Sequence, residues 1–259
     1  MSAALMLLAG TAGAQGAKPL TRCAPDAVVS ATVCMDKYEA SVWRVPASTT
    51  INKSLVAKIQ QGKATAANLA AGGATQLGVS GNDYAPCAST GQNCTNDIYA
   101  VSLPGVKPSA NITWFQAQVA CKNARKRLPS NAEWQAAVVG TPDPGPDNGT
   151  TDCNTQSVFT TVATGSRSSC VSTDGAFDMV GNLDEWVADW VPVPTDCPNW
   201  GTFSNDAMCL AGASTLTPGA AALVRGGDFY LFGSSAGPLA VGGDLTWDAN
   251  GLVGFRCAR

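Results

Sequence analysis

The sequence predicts an α+β domain that is loop-rich and disulfide-stapled, with two main helices and short antiparallel strands. Three observations carry this reading. Charged residues make up only 14%, while 27 Gly and 15 Pro punctuate the 259-residue chain; this favours short elements joined by turns. Ten cysteines suit a stapled, extracytoplasmic domain. Two sequence signatures of a capped helix start, Thr113-x-x-Gln116 and Ser130-x-x-Glu133, stand close together in mid-chain. The length suits one large domain, read here as residues 23–259, and is enough to bury a core without staples.

Taken in order, residues 2–14 read SAALMLLAGTAGA. The apolar run Leu5 to Leu8 and the small-residue site Ala12-Gly13-Ala14 predict a secretory signal at 1–14, truncated in its basic n-region. No other stretch reaches the ~18–20 apolar residues of a membrane helix. Short apolar runs at Ala27–Val33 and Ser41–Val45 predict strands, with Tyr38 and Trp43 as core aromatics. Ile51, Leu55, Val56 and Ile59, then Ala67 and Leu69, keep helical spacing. They predict a helical insertion near 50–71, broken at Gly62. Residues 74–110 are turn-rich. The two capped helices run to about Arg125 and Val139, burying Trp114, Ala117 and Cys121 from one and Trp134, Ala137 and Val138 from the other. Residues 140–174 form a long loop, which needs pinning or a function. Residues 192–222 form another. The last stretch, Val224 to Arg259, sets a Gly-, Ser-, Asp- and aromatic-rich middle between Arg225-Gly226-Gly227 and Gly254-Phe255-Arg256.

Cysteine proximity suggests the local pairs Cys23–Cys34, Cys87–Cys94, Cys153–Cys170 and Cys197–Cys209, leaving Cys121 and Cys257. Ten cysteines permit many other connectivities. Composition also excludes. Histidine is absent, which removes the commonest general base and most zinc sites. With a net charge of −3 and no basic stripe, nucleic acid is not an expected partner. Arg127, Arg225 and Arg256 read as salt-bridge formers, Glu133 as a capping residue, and Trp186 and Trp190 as core.

Four segments in order, ARKRLPSNAEWQAA (124–137), GAFDMVGNLDEWVADW (175–190), LVRGG (223–227) and GFRCA (254–258), resemble the formylglycine-generating-enzyme, or sulfatase-modifying-factor, family. DKYEAS (36–41) is similar to that family's opening strand. The resemblance spans roughly 33–259 and implies a C-type-lectin-like fold. It also implies a disulfide between Cys121 and Cys257, and calcium at Asp178, Gly181, Leu183 and Glu185 through two side chains and two carbonyls. Both side-chain positions carry hard carboxylate donors; the alternative is that Asp178 and Glu185 cap turns. The family's oxidases bind copper through a cysteine pair soon after R-G-G. Residues 228–250 contain no cysteine, and a soft Cu(I) site needs thiolates, so neither copper nor oxidase activity is expected.

The frame Arg225-Gly226-Gly227, Ala236-Gly237, Gly254-Phe255-Arg256 resembles the variable proteins of diversity-generating retroelements, with one residue more before Ala236. That resemblance implies a rewritten ligand-binding surface at 224–259. Its candidate positions are Asp228, Tyr230, Leu231, Phe232, Ser234, Ser235, Gly242 and Asp244, with Trp247 as a fixed anchor. The expected protein is a non-catalytic, monomeric binder, secreted or held at a bacterial surface or in the periplasm. Its partner would be a protein or cell-surface ligand, and any calcium in it structural. The alternative is a sulfatase-modifying enzyme or accessory acting through another site.

Overall fold

The computed structural model describes residues 20–46, 50–94, 98–143, 147–216, 219–231 and 233–259; the segment 1–14, expected from sequence to be a signal, and Phe232 lie outside them. Strands β1 (Ala27–Ser30) and β2 (Val33–Asp36) form a hairpin. Ala31, at φ 47°, makes its turn and splits the single apolar run read from sequence. Strand β3 (Ala40–Arg44) lies between β4 (Thr75–Leu77) and β5 (Ile98–Ser102) in an antiparallel sheet. Tyr38 and Trp43 are half-buried at its margin rather than central to the core.

The insertion is two helices, α1 (Thr50–Gln60) and α2 (Ala66–Ala71), parted at Gly62. Leu55, Ile59 and Leu69 are buried against Tyr99 and Val101 of β5. Helices α3 (Trp114–Asn123) and α4 (Asn131–Ala137) start where the sequence places them. Each has a complete capping box, Thr113 with Gln116 and Ser130 with Glu133, so orphan backbone donors are satisfied locally. Glu133 also takes both terminal nitrogens of Arg127 at 2.7 Å.

The larger sheet has the order β8-β7-β6-β9, from β6 (Asp184–Pro192), β7 (Ala220–Arg225), β8 (Val241–Leu245) and β9 (Val253–Phe255). Its pairs are antiparallel except β6 with β9, which is parallel and departs from the all-antiparallel expectation. The register of β6 shifts between Trp186 and Trp190. A bulge re-aims side chains, so Trp186 is fully buried while Trp190 is 48% exposed, against the expectation that both are core. Trp190 instead leans edge-on against Trp114 and Phe115.

The four proximity pairs are joined, and so is Cys121–Cys257 across 136 positions, as the family resemblance implies. Buried charge ties the chain ends together. Lys126 Nζ sits 2.6 Å from both Asp26 and Asp36, and Arg259 reaches Asp26 at 2.8 Å. Arg256 is fully buried and pairs with Glu185. Among the described residues Arg225 has no ion-pair partner, contrary to expectation. Its guanidinium donates to Asn131 Oδ1, Gln135 Oε1 and the carbonyls of Pro238 and Ala240, and lies 4.3 Å from the Trp134 ring centroid. Burial lowers its pKa to about 10, against the pull of Asp206 and Asp184.

Candidate functional site

The segment after β7 begins with a backbone that only glycine tolerates. Gly226 and Gly227 have φ of 92° and 78°. A Cβ on Gly226 would meet the Met179 carbonyl oxygen at 2.6 Å, and one on Gly227 would meet Ala236 Cα at 2.6 Å. These contacts press the start of the segment onto the scaffold. Asp228 then turns inward. It is buried, and its Oδ1 accepts from the backbone N–H groups of Tyr230 and Leu231 at 2.6 and 3.2 Å. Asp228, read from sequence as a ligand-binding position, thus caps its own turn.

The turn lifts Tyr230 to 59% exposure, beside Phe159 of the 140–174 loop. A 3-10 turn at Gly233–Ser235 follows, with Ser234 exposed and Ser235 half-buried. The Ser234 carbonyl accepts from Ala207 N–H at 2.6 Å, which ties the segment to the disulfide-held loop 192–216. Strand β8 carries Gly242, closely packed on Val224, and a half-buried Asp244. Trp247 is 52% exposed, with its ring against Gly219. Of the nine sequence-assigned positions, then, Tyr230, Ser234 and Trp247 face solvent. Leu231, Ser235, Gly242 and Asp244 line a cavity of about 420 Å³, and Phe232 is outside the described residues.

That cavity brings in residues the sequence reading did not select. Asp184, Val224 and the Cys197–Cys209 pair complete its walls. Residues 228–250 carry no cysteine, but a cystine reaches this cavity from another loop. Among the described residues, no Lys or Arg lines the cavity. Burial, then the charges of Asp228 and Asp244, push the Asp184 carboxyl well above the usual range, although it accepts from Gly227 N–H at 3.0 Å. Burial, with Asp248 nearby, also raises Asp244.

The four calcium candidates lie behind this surface. Arg256 donates to both oxygens of Glu185 at 2.6–2.9 Å, and Trp134 Nε1 donates to Oε2 at 2.7 Å. Asp178 Oδ2 accepts from Gly165 N–H at 2.6 Å. Gly181 and Leu183 hold the turn between them, with Leu183 N–H donating to buried Glu39. Asp178 thus accepts a backbone N–H, as in the turn-capping alternative, whereas Glu185 is held by the side chains of Arg256 and Trp134. Among the described residues, no three His, Cys, Asp or Glu side chains are grouped to hold a metal.

A stapled α+β frame that presents one glycine-anchored, aromatic-bearing segment over an acidic cavity defines the class of the molecule. Residues 74–259 match the family described as the sulfatase-modifying factor enzyme 1-like domain, and the chain belongs to that family. The match begins after α1 and α2. The serine/threonine-protein kinase pkn1 of Chlamydia caviae is 33% identical over 85 residues, covering 32% of this chain and 14% of the kinase. The chain therefore spans a small part of the curated relatives it matches. Among solved structures, the Major Tropism Determinant M1 variant aligns with 93% of this chain and 54% of its own, at 16% identity and a TM-score of 0.48. Treponema denticola variable protein 1 aligns with 59% of this chain and 70% of its own, at 17% identity and a TM-score of 0.35. Among the described residues no helix is long and apolar enough to cross a membrane.

Proposed function

We propose that this chain is a non-catalytic, monomeric ligand-binding protein that works outside the cytoplasm, secreted or displayed at the cell surface, with residues 228–247 as its binding segment. One observation carries the reading: the segment has no cysteine, yet it is held at both ends by a rigid frame and exposes Tyr230, Ser234 and Trp247. Rigid aromatics give contact area at small ordering cost. The five disulfides support an oxidising compartment. On this reading the segment is a diversified one.

Two measurements test it. Oxygen uptake with a cysteine-containing peptide, with and without copper, is expected to stay at background; copper-dependent turnover would overturn the non-catalytic assignment. The flanking DNA is expected to hold a near-copy of codons 224–259 beside a reverse-transcriptase gene, differing mainly at adenines. Its absence would remove diversification and leave an ordinary fixed binder.

A further inference from the structure

Phe159 is an aromatic residue in an unusual state: 56% exposed and held at φ 49°, the left-handed region that L residues adopt only at a cost. Such a residue persists where its surroundings over-determine it, and here they do. Cys153–Cys170 pins the loop. Asp147 accepts from Ser157 Oγ at 2.5 Å and from the N–H groups of Thr155 and Ser157 at 3.2 Å. Buried Arg167 backs both Asp147 and Ser157, and Asn154 Nδ2 donates to the Thr160 carbonyl at 2.9 Å. This network holds the chain on either side of Phe159 while the ring itself stays in water. Nothing in the core requires it there.

Among the described residues its one ring partner is Tyr230, 5.9 Å away and edge-to-face. Tyr230 is fixed in turn by the Asp228 cap and by Phe229 N–H on the Asn182 carbonyl. Two exposed rings, one on each of two rigid loops, thus stand together. The next residue, Leu231, enters the cavity, whose ionisable lining groups are Asp184 and Asp244 alone. Aromatic faces with nearby carboxylates complement a delocalised cation on an apolar stem; Arg225, which feels the Asp184 charge, has its own donors engaged by Asn131, Gln135 and the Pro238 and Ala240 carbonyls.

We propose that this face receives an arginine side chain of a protein partner, its guanidinium in the Asp184–Asp244 cavity and its stem against the Phe159–Tyr230 pair. This rests on the binding reading above and extends the site to Phe159, outside the segment 228–247. The chain's net charge of −3 favours such a partner over an acidic one.

The test uses the full chain, ¹⁵N-labelled, titrated with the probe Ac-Gly-Arg-Gly-NH2 and its neutral citrulline counterpart. Saturable shifts at residues 228–244 and around 159 are expected with the arginine peptide. The citrulline peptide should bind about tenfold more weakly, the loss of a charge-assisted contact. Phe159→Ser and Asp244→Asn should each weaken binding several-fold while the melting temperature holds. Equal binding of both peptides at these residues would overturn the charge basis and leave the binding surface standing. Indifference to both substitutions, or no binding of either peptide, would overturn the arginine assignment. Arginine amide binding as tightly as the peptide would make this a small-molecule site and overturn the protein partner.

Discussion

Replacing Arg256 by Met keeps the apolar stem and removes every donor. Arg256 is completely buried, and its guanidinium serves Glu185 on both oxygens, the Asp36 carbonyl at 3.1 Å, and the Phe177 and Asp178 carbonyls at 2.8 and 3.2 Å. The variant leaves the Glu185 carboxylate buried with Trp134 Nε1 as its remaining side-chain donor. Breaking a buried pair by removing one partner costs about 3–5 kcal/mol. The orphaned carbonyls add to this, though not by simple summation. Set against a total stability of about 5–15 kcal/mol, the loss lowers the melting temperature by roughly 6–20 °C. Urea unfolding followed by tryptophan fluorescence, with the disulfides intact, measures it, and an unchanged m-value shows that the same surface unfolds. The double variant Glu185→Gln/Arg256→Met is expected to recover about 1 kcal/mol or more relative to additivity. A single-variant loss below about 1 kcal/mol, or strict additivity, would refute the claim that this pair organises the fold.

Lys126→Met strands Asp36 and leaves Asp26 to Arg259, and is expected to cost about 3–5 kcal/mol in the same assay. Burial works against ionisation of Asp26, but Lys126 and Arg259 outweigh it and hold the carboxyl below 3.8. Its contribution is therefore full above about pH 4 and lost as pH falls through the folded value; a urea series across that range should show an acid limb that Lys126→Met flattens. Cys121→Ser/Cys257→Ser opens a bridge spanning 136 positions. The chain-entropy model sets the loss at about 5 kcal/mol at most, and a melting temperature unchanged in the double variant would contradict it. EGTA is expected to leave the melting temperature in place because Arg256 occupies Glu185; a fall of more than about 2–4 °C, or about 1 kcal/mol, would assign the carboxylates to a cation instead.

Local physics was legible in the sequence. Capping boxes are written within four residues, so both helix starts could be read directly, and cysteines close in sequence did pair. The motifs at 223–227 and 254–258 marked the frame because glycine has no substitute where backbone meets backbone, as at Gly226. What could not be read depends on distant partners. Lys126 passes for a surface residue until Asp26 and Asp36, 100 and 90 positions away, close over it. A bulge in β6, not residue type, decides that Trp186 goes in and Trp190 out. Asp228 and Tyr230 both look like ligand residues in the sequence. Only the folded turn shows that the first builds the platform on which the second stands.

The final four residues have a consequence for synthesis. Arg256 neutralises Glu185, Cys257 staples α3, Ala258 bridges both Met35 and Arg127, and Arg259 pairs with Cys34 through its backbone and with Asp26 through its side chain. All of them emerge from the ribosome after the binding segment. A chain ended early by a stop codon within 228–250 lacks this clasp, so Cys121 has no disulfide partner, Glu185 loses Arg256 and β6 loses β9. Reading residues 228–250 through to Arg259 is thereby a condition of closing the clasp.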